Sequence, residues 1–215
     1  MTTVTHGRMT LALHELRAGG RGRPLLHLHG LGLRSPEEVP LDLEAWPGPI
    51  YALDFTGHGD STAPTGGGYT PELLIGDVDA AIERLGEVTL IGRGLGAYIA
   101  LMASAARYDA VRGAILCDGP GINGGGPAPG TPSISRVNTQ AAVPPDPFAL
   151  AELSKDVRPP DYAVDFVRII VAHSPMANPI AVVAKARPEW LAAVMDELGS
   201  APVSLPDALA SFSKP

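Results

Sequence analysis

Short apolar runs alternate with helically spaced apolar positions along most of this chain. Leu25-Leu26-His27-Leu28, Ile50-Tyr51-Ala52-Leu53 and Val88-Thr89-Leu90-Ile91 are each followed closely by a glycine or an aspartate. Runs of this length, bounded by turn residues, read as strands buried on both faces. Residues 9–16 alternate in polarity and read as an early antiparallel strand. Between the later strands, Leu74, Val78, Ile82 and Leu85 keep helical spacing. Thr70 and Pro71 supply the cap and the first-turn proline that start such a helix, over 71–85. A second helix is expected over 96–107, then the strand Gly113-Ala114-Ile115-Leu116-Cys117. Residues 119–147 are rich in glycine and proline and predict a long loop. Helices over 147–156 and 160–173 follow, then a strand at 180–183, a helix over 188–198, a weak strand at 202–205 and a closing helix. This alternation predicts an α/β protein with a mostly parallel central sheet covered by helices.

The chain has 215 residues, enough for one domain with a substantial core. Its net charge of −7 argues against a nucleic-acid or anionic-membrane partner, both of which need a basic face. Cys117 is the sole cysteine, which excludes an internal disulfide, and its apolar setting predicts a buried, inert thiol. No basic-then-apolar leader opens the sequence and no apolar run nears the length of a membrane span. The expected protein is soluble and cytoplasmic; oligomeric state is not legible.

Three turns carry the candidate chemistry. His27-Leu28-His29-Gly30-Leu31-Gly32 follows the first buried strand, where glycines let backbone N–H groups point into a cavity. Asp54-Phe55-Thr56-Gly57-His58-Gly59-Asp60-Ser61 is a tight turn after the next strand. Gly92-Arg93-Gly94-Leu95-Gly96 then joins a strand to a helix. Each alone is a weak signal, but their order and their place at strand ends make the set specific.

Together they resemble the α/β-hydrolase family, closely over residues 9–118 and more loosely beyond. The resemblance implies that fold, with a core of 1–118 and 179–215 and a lid over 119–178. It also implies an oxyanion-hole N–H at Leu31 and a G-x-S-x-G elbow at 92–96. The sequence departs from that pattern at the reactive positions. Gly94 occupies the nucleophile position and has no side chain to attack with. No carboxylate follows the strand at 180–183 before Glu189, and no histidine follows His173. A triad acts as a unit, so its covalent route is not expected here. The backbone N–H groups of Leu31 and Leu95 could still cradle an anion or carbonyl. The expected role is a non-hydrolytic binder of a small ligand bearing a carbonyl or carboxylate, with His29, Gly30, Leu31, Arg93, Gly94 and Leu95 around it. The alternative within the fold is an enzyme (esterase, lyase or isomerase) of non-standard mechanism.

A rival fits the same glycines. Gly92-x-Gly94-x-x-Ala97 after a strand matches a dinucleotide-binding fingerprint, with Asp118 about where a ribose-binding acid belongs, and would make this an NAD(P)-binding Rossmann protein. Against it, three strands precede the fingerprint and a Gly/Pro loop follows Asp118. The single residues also carry two readings. Arg93 either reaches a ligand anion or braces the turn through an acid such as Asp54 or Asp118. Asp118 is a relocated acid or an ordinary strand-end residue. His173 leans over the pocket or lies on the surface. The six histidines form no helical metal pair, so neither a metal nor a cofactor is expected.

Overall fold

The computed structural model describes residues 2–119, 144–156 and 158–213. Seven strands form one sheet: β1 (Thr2–His6), β2 (Met9–Arg17), β3 (Leu25–Leu28), β4 (Ile50–Leu53), β5 (Val88–Arg93), β6 (Val111–Cys117) and β7 (Ile180–Val183). Their order is β1-β2-β4-β3-β5-β6-β7, with β1 and β2 antiparallel and the other five strands mutually parallel. The helices are α1 (Pro71–Leu85), α2 (Leu95–Ala106), α3 (Pro147–Leu153), α4 (Pro160–His173), α5 (Glu189–Leu198) and α6 (Leu205–Phe212). Thr70 caps α1 by accepting from the Leu73 N–H, as the Thr-Pro pair predicts.

Strand alternation divides the core into two unequal layers. Leu26, Leu28, Leu90, Leu116 and Val182 face α1, α2, α4 and α5 in the larger one. Leu25, Ile91, Ile115 and Cys117 face the opposite way, onto Leu43, Trp46 and the α6 residues Ala208, Leu209 and Phe212. That second layer is thin: the segment joining β3 to β4 contributes only a short 3-10 turn at Leu41–Leu43. α2 is buried from Leu95 to Ala105, so a helix apolar all round sits at the centre of the molecule.

Several expectations change. β1 was not expected, because only Val4 of its five residues is buried. β6 starts at Val111 rather than 113, and α3 ends at Leu153 rather than 156. Residues 202–205 form no strand: one bond, from the Val203 N–H to Val182 O at 2.9 Å, is all that joins them to β7, and α6 begins at Leu205. Pro202 and Pro206 have no N–H to extend such pairing. The Gly/Pro loop lies almost wholly outside the described residues. Residues 120–143 of the expected lid over 119–178 lie outside the described residues; within its remainder α4 buries Ala163, Val164, Val167 and Ile170 in the helical layer beside α2 and α5. No helix among the described residues is long and apolar enough to cross a membrane.

Candidate functional site

β5 passes into α2 through a single residue. Gly94 holds φ 56° and ψ −113°, a left-handed conformation that L side chains adopt only at a cost. Its N–H donates to Cys117 O at 3.0 Å, and its carbonyl accepts from the Ala97 and Tyr98 N–H groups, both at 3.1 Å. The flanking glycines are demanded by space. A Cβ on Gly92 would collide with Gly96 O, and one on Gly96 with the carbonyls of Leu28 and His29. The first turn of α2 is therefore pressed against the end of β3, which brings the 92–96 elbow and the 27–32 turn together.

Two buried histidines brace the second turn. His29 Nδ1 donates to Gly30 O at 2.9 Å while its Nε2 accepts the Phe55 N–H at 3.2 Å. His58 Nδ1 donates to Thr56 O at 3.2 Å and its Nε2 accepts the Gly32 N–H at 3.4 Å. Both rings must be neutral Nδ1–H tautomers to do this. They lie 5.0 Å apart. Burial, and then the charge the neighbouring His58 would carry, push His29 down to about 3; burial likewise lowers His58. His29 thus spends both nitrogens inside the protein and positions the turn. Leu31 N–H in the 27–32 turn meets no acceptor among the described residues, and neither does Leu95 N–H at the start of α2.

α3 covers this joint: a Cβ on Gly32 would meet Leu150 Cδ2. The helix is fastened by Asp146, whose N–H donates to Gly57 O at 2.8 Å and whose carboxylate accepts from Tyr69 Oη at 2.5 Å. Glu152 adds acceptors for the Gly68 and Tyr69 N–H groups at 2.8 and 2.6 Å.

In the Asp54–Ser61 turn the Asp54 carboxylate accepts from Ser35 N–H at 2.7 Å, from Asp60 N–H at 2.9 Å and from His14 Nε2 at 2.9 Å. Burial alone would raise its pKa, but these donors outweigh it and hold the carboxyl below its ordinary value. His14, Asp54 and Asp60 have ligand atoms within 4.8 Å of one another. Their geometry is accounted for by the hydrogen bonds just given.

The other candidates lie elsewhere. Arg93 follows Ile91 by two on β5, so its side chain leaves on the thin-layer face; its Nη1 donates to Asp118 O at 3.3 Å. There it lines a cavity with His27 and Cys117, away from the Leu31 and Leu95 amides. Asp118 Oδ2 accepts the Lys185 and Ala186 N–H groups at 3.1 and 2.9 Å, tying the end of β6 to the segment after β7. It is a structural clasp. His173 stacks on Tyr108 with ring centres 5.0 Å apart. Tyr108 lies just beyond the far end of the 12-residue α2, roughly 18 Å along the helix from the elbow. His173 therefore does not lean over the site. Burial pushes the Cys117 thiol up to about 12, in keeping with an inert cysteine. The sequence does not connect His58 with the 27–32 turn; no local spacing signals a bond across 26 residues.

With this geometry in hand, the sequence profile of the α/β-hydrolase family matches residues 25–212, and the chain belongs to that family. The glycines of 92–96 lie inside that match, and the Rossmann-fold alternative gives way to the hydrolase fold. The fold is similar to a thermophilic esterase from Thermogutta terrifontis, at 20% identity and TM-score 0.62 over 91% of this chain and 85% of that one. It is also similar to a thioesterase domain from the curacin biosynthetic pathway, at 18% identity and TM-score 0.63 over 99% and 96%. An enol-lactonase from Burkholderia xenovorans LB400 matches at 20% identity and TM-score 0.46, over 54% of this chain and 46% of that one. The chain thus spans less than half the length of that last relative. No curated protein matches this chain.

Proposed function

We propose that this chain is a non-hydrolytic member of the α/β-hydrolase family that binds a small, mostly apolar molecule through a carbonyl or carboxylate group. The observation that carries the reading is a strand-to-helix elbow with glycine at its apex, beside two amide N–H groups without acceptors among the described residues. Those N–H groups, one at the N-terminus of α2, suit an oxygen bearing negative charge. Covalent attack needs a nucleophile and a base, and position 94 offers no nucleophile. All six histidines belong to the described residues, and each has another place. His6 bonds Asp77, His14 bonds Asp54, His29 and His58 are committed to the turn, His27 lies on the opposite sheet face and His173 stacks on Tyr108.

The test pairs thermal-shift titration with hexanoate and hydrolysis of p-nitrophenyl butyrate on the same preparation. Saturable stabilisation without turnover is the expected result. Turnover that survives purification and disappears on substitution of an elbow residue would replace binding with an enzyme of non-standard mechanism.

A further inference from the structure

One side chain of α3 comes down onto the 27–32 turn beside the cradle. Gly32 holds φ 73°, and a Cβ there would stand 2.9 Å from Leu150 Cδ2. That methyl therefore rests on the Gly32 backbone, one residue and about 3.8 Å along the chain from Leu31. Leu31, whose N–H meets no acceptor among the described residues, packs its half-buried side chain on the larger core layer, as does Phe148 of α3. The surroundings of the Leu31 amide are thus apolar, and Leu150 blocks the way on the Gly32 side.

A helix of seven residues does not hold its place by itself. α3 is fixed at both ends. Asp146 caps it by accepting the Phe148 N–H at 3.0 Å, and also bonds Gly57 O and Tyr69 Oη. At the other end the Glu152 carboxylate accepts the Gly68 and Tyr69 N–H groups, and a Cβ on Gly67 would collide with its Oε1. Tyr69 serves both ends and is itself buried, its ring packed where a Cβ on Gly57 would stand. Ala149 and Leu153 are fully buried, and helical spacing puts Leu150 beside them on the inner face. Leu150 is therefore held at a fixed height over the turn.

We propose that Leu150 gauges ligand length at the Leu31–Leu95 cradle, and that the ligand is a short, unbranched fatty acid. Its carboxylate meets the two amides, its carbon chain runs under α3, and Leu150 marks where the chain must stop. This rests on the binding role proposed above. A roof fastened at both ends does not swing aside, so a longer chain leaves its last methylenes in water.

Butyrate, hexanoate, octanoate and decanoate are the probes, titrated against the Leu31 and Leu95 amide NMR signals. While methylenes enter an apolar space, each should tighten binding about fourfold. In the parent this gain should stop within the series. In Leu150→Ala it should continue to a longer acid, and in Leu150→Phe it should stop at a shorter one. The phenylalanine variant adds bulk instead of deleting packing, so it carries the test if the alanine variant unfolds. A gain that never stops in the parent, or that stops at the same length in the variants, would overturn the gauge and leave the cradle standing. If no acid moves the Leu31 and Leu95 amides, the binding role itself fails and the gauge falls with it.

Discussion

At the scale of single residues, the proposed function rests on Gly94, and His29 holds the turn beside it. Gly94→Ser restores a hydroxyl at the elbow but no base to activate it, so p-nitrophenyl ester hydrolysis should remain at background. The serine must also accept φ 56°, which costs about 1–3 kcal/mol and lowers Tm by a few degrees. Ester turnover in that variant would mean a base has been misplaced. His29 and His58 make a second prediction, through pH. Both are held below their ordinary value, so below about pH 6.5 the unfolded chain binds protons that the folded chain refuses, down to about pH 3 in the case of His29. Stability is therefore full above 6.5 and declines on acidification, by up to about 1.4 kcal/mol per pH unit for each ring kept neutral. Urea unfolding from pH 7 to 5 should show this slope, and His29→Gln should flatten it; an unchanged slope would contradict the assignment. Arg93 shows what the sequence held and what it did not. Its two-residue offset from Ile91 already fixed its face once β5 was known to run to position 93. Its separation from the Leu31 and Leu95 amides required the fold.

At the scale of elements, the joint between α2 and β3 makes the site. Gly96→Ala would drive a methyl into the carbonyls of Leu28 and His29, and about 4 kcal/mol or more of destabilisation is expected. A variant that folds with parental Tm would show that the two elements are not so tightly apposed. The cover over this joint depends on Glu152, and Glu152→Ala should raise amide hydrogen exchange across 147–153 while leaving α1 and α2 protected. The five parallel strands and the long helices were readable because their apolar runs and helical spacing are unbroken. β1 was not, since an edge strand that buries Val4 alone leaves no apolar pattern. The weak strand at 202–205 misled for the opposite reason: Val203 is apolar, yet prolines at 202 and 206 restrict the pairing that a strand would need.

At the scale of the whole molecule, the chain has the α/β-hydrolase fold, and the buried His29 and His58 rings hydrogen-bond within the protein. The fold and the order of the three turns were legible because each turn is set by glycines at strand ends. The pairing of His29 with Phe55, of His58 with Gly32, and the cavity behind Arg93 were not, because all join residues distant in sequence. What reaches outward at the elbow is backbone, and that is the central claim. Amide NMR during titration with hexanoate tests it most directly. The Leu31 and Leu95 N–H signals should move downfield together and saturate with a single Kd, with no product formed from the matching ester. Saturation at other amides while these two stay fixed, or steady release of acid from the ester, would contradict the account.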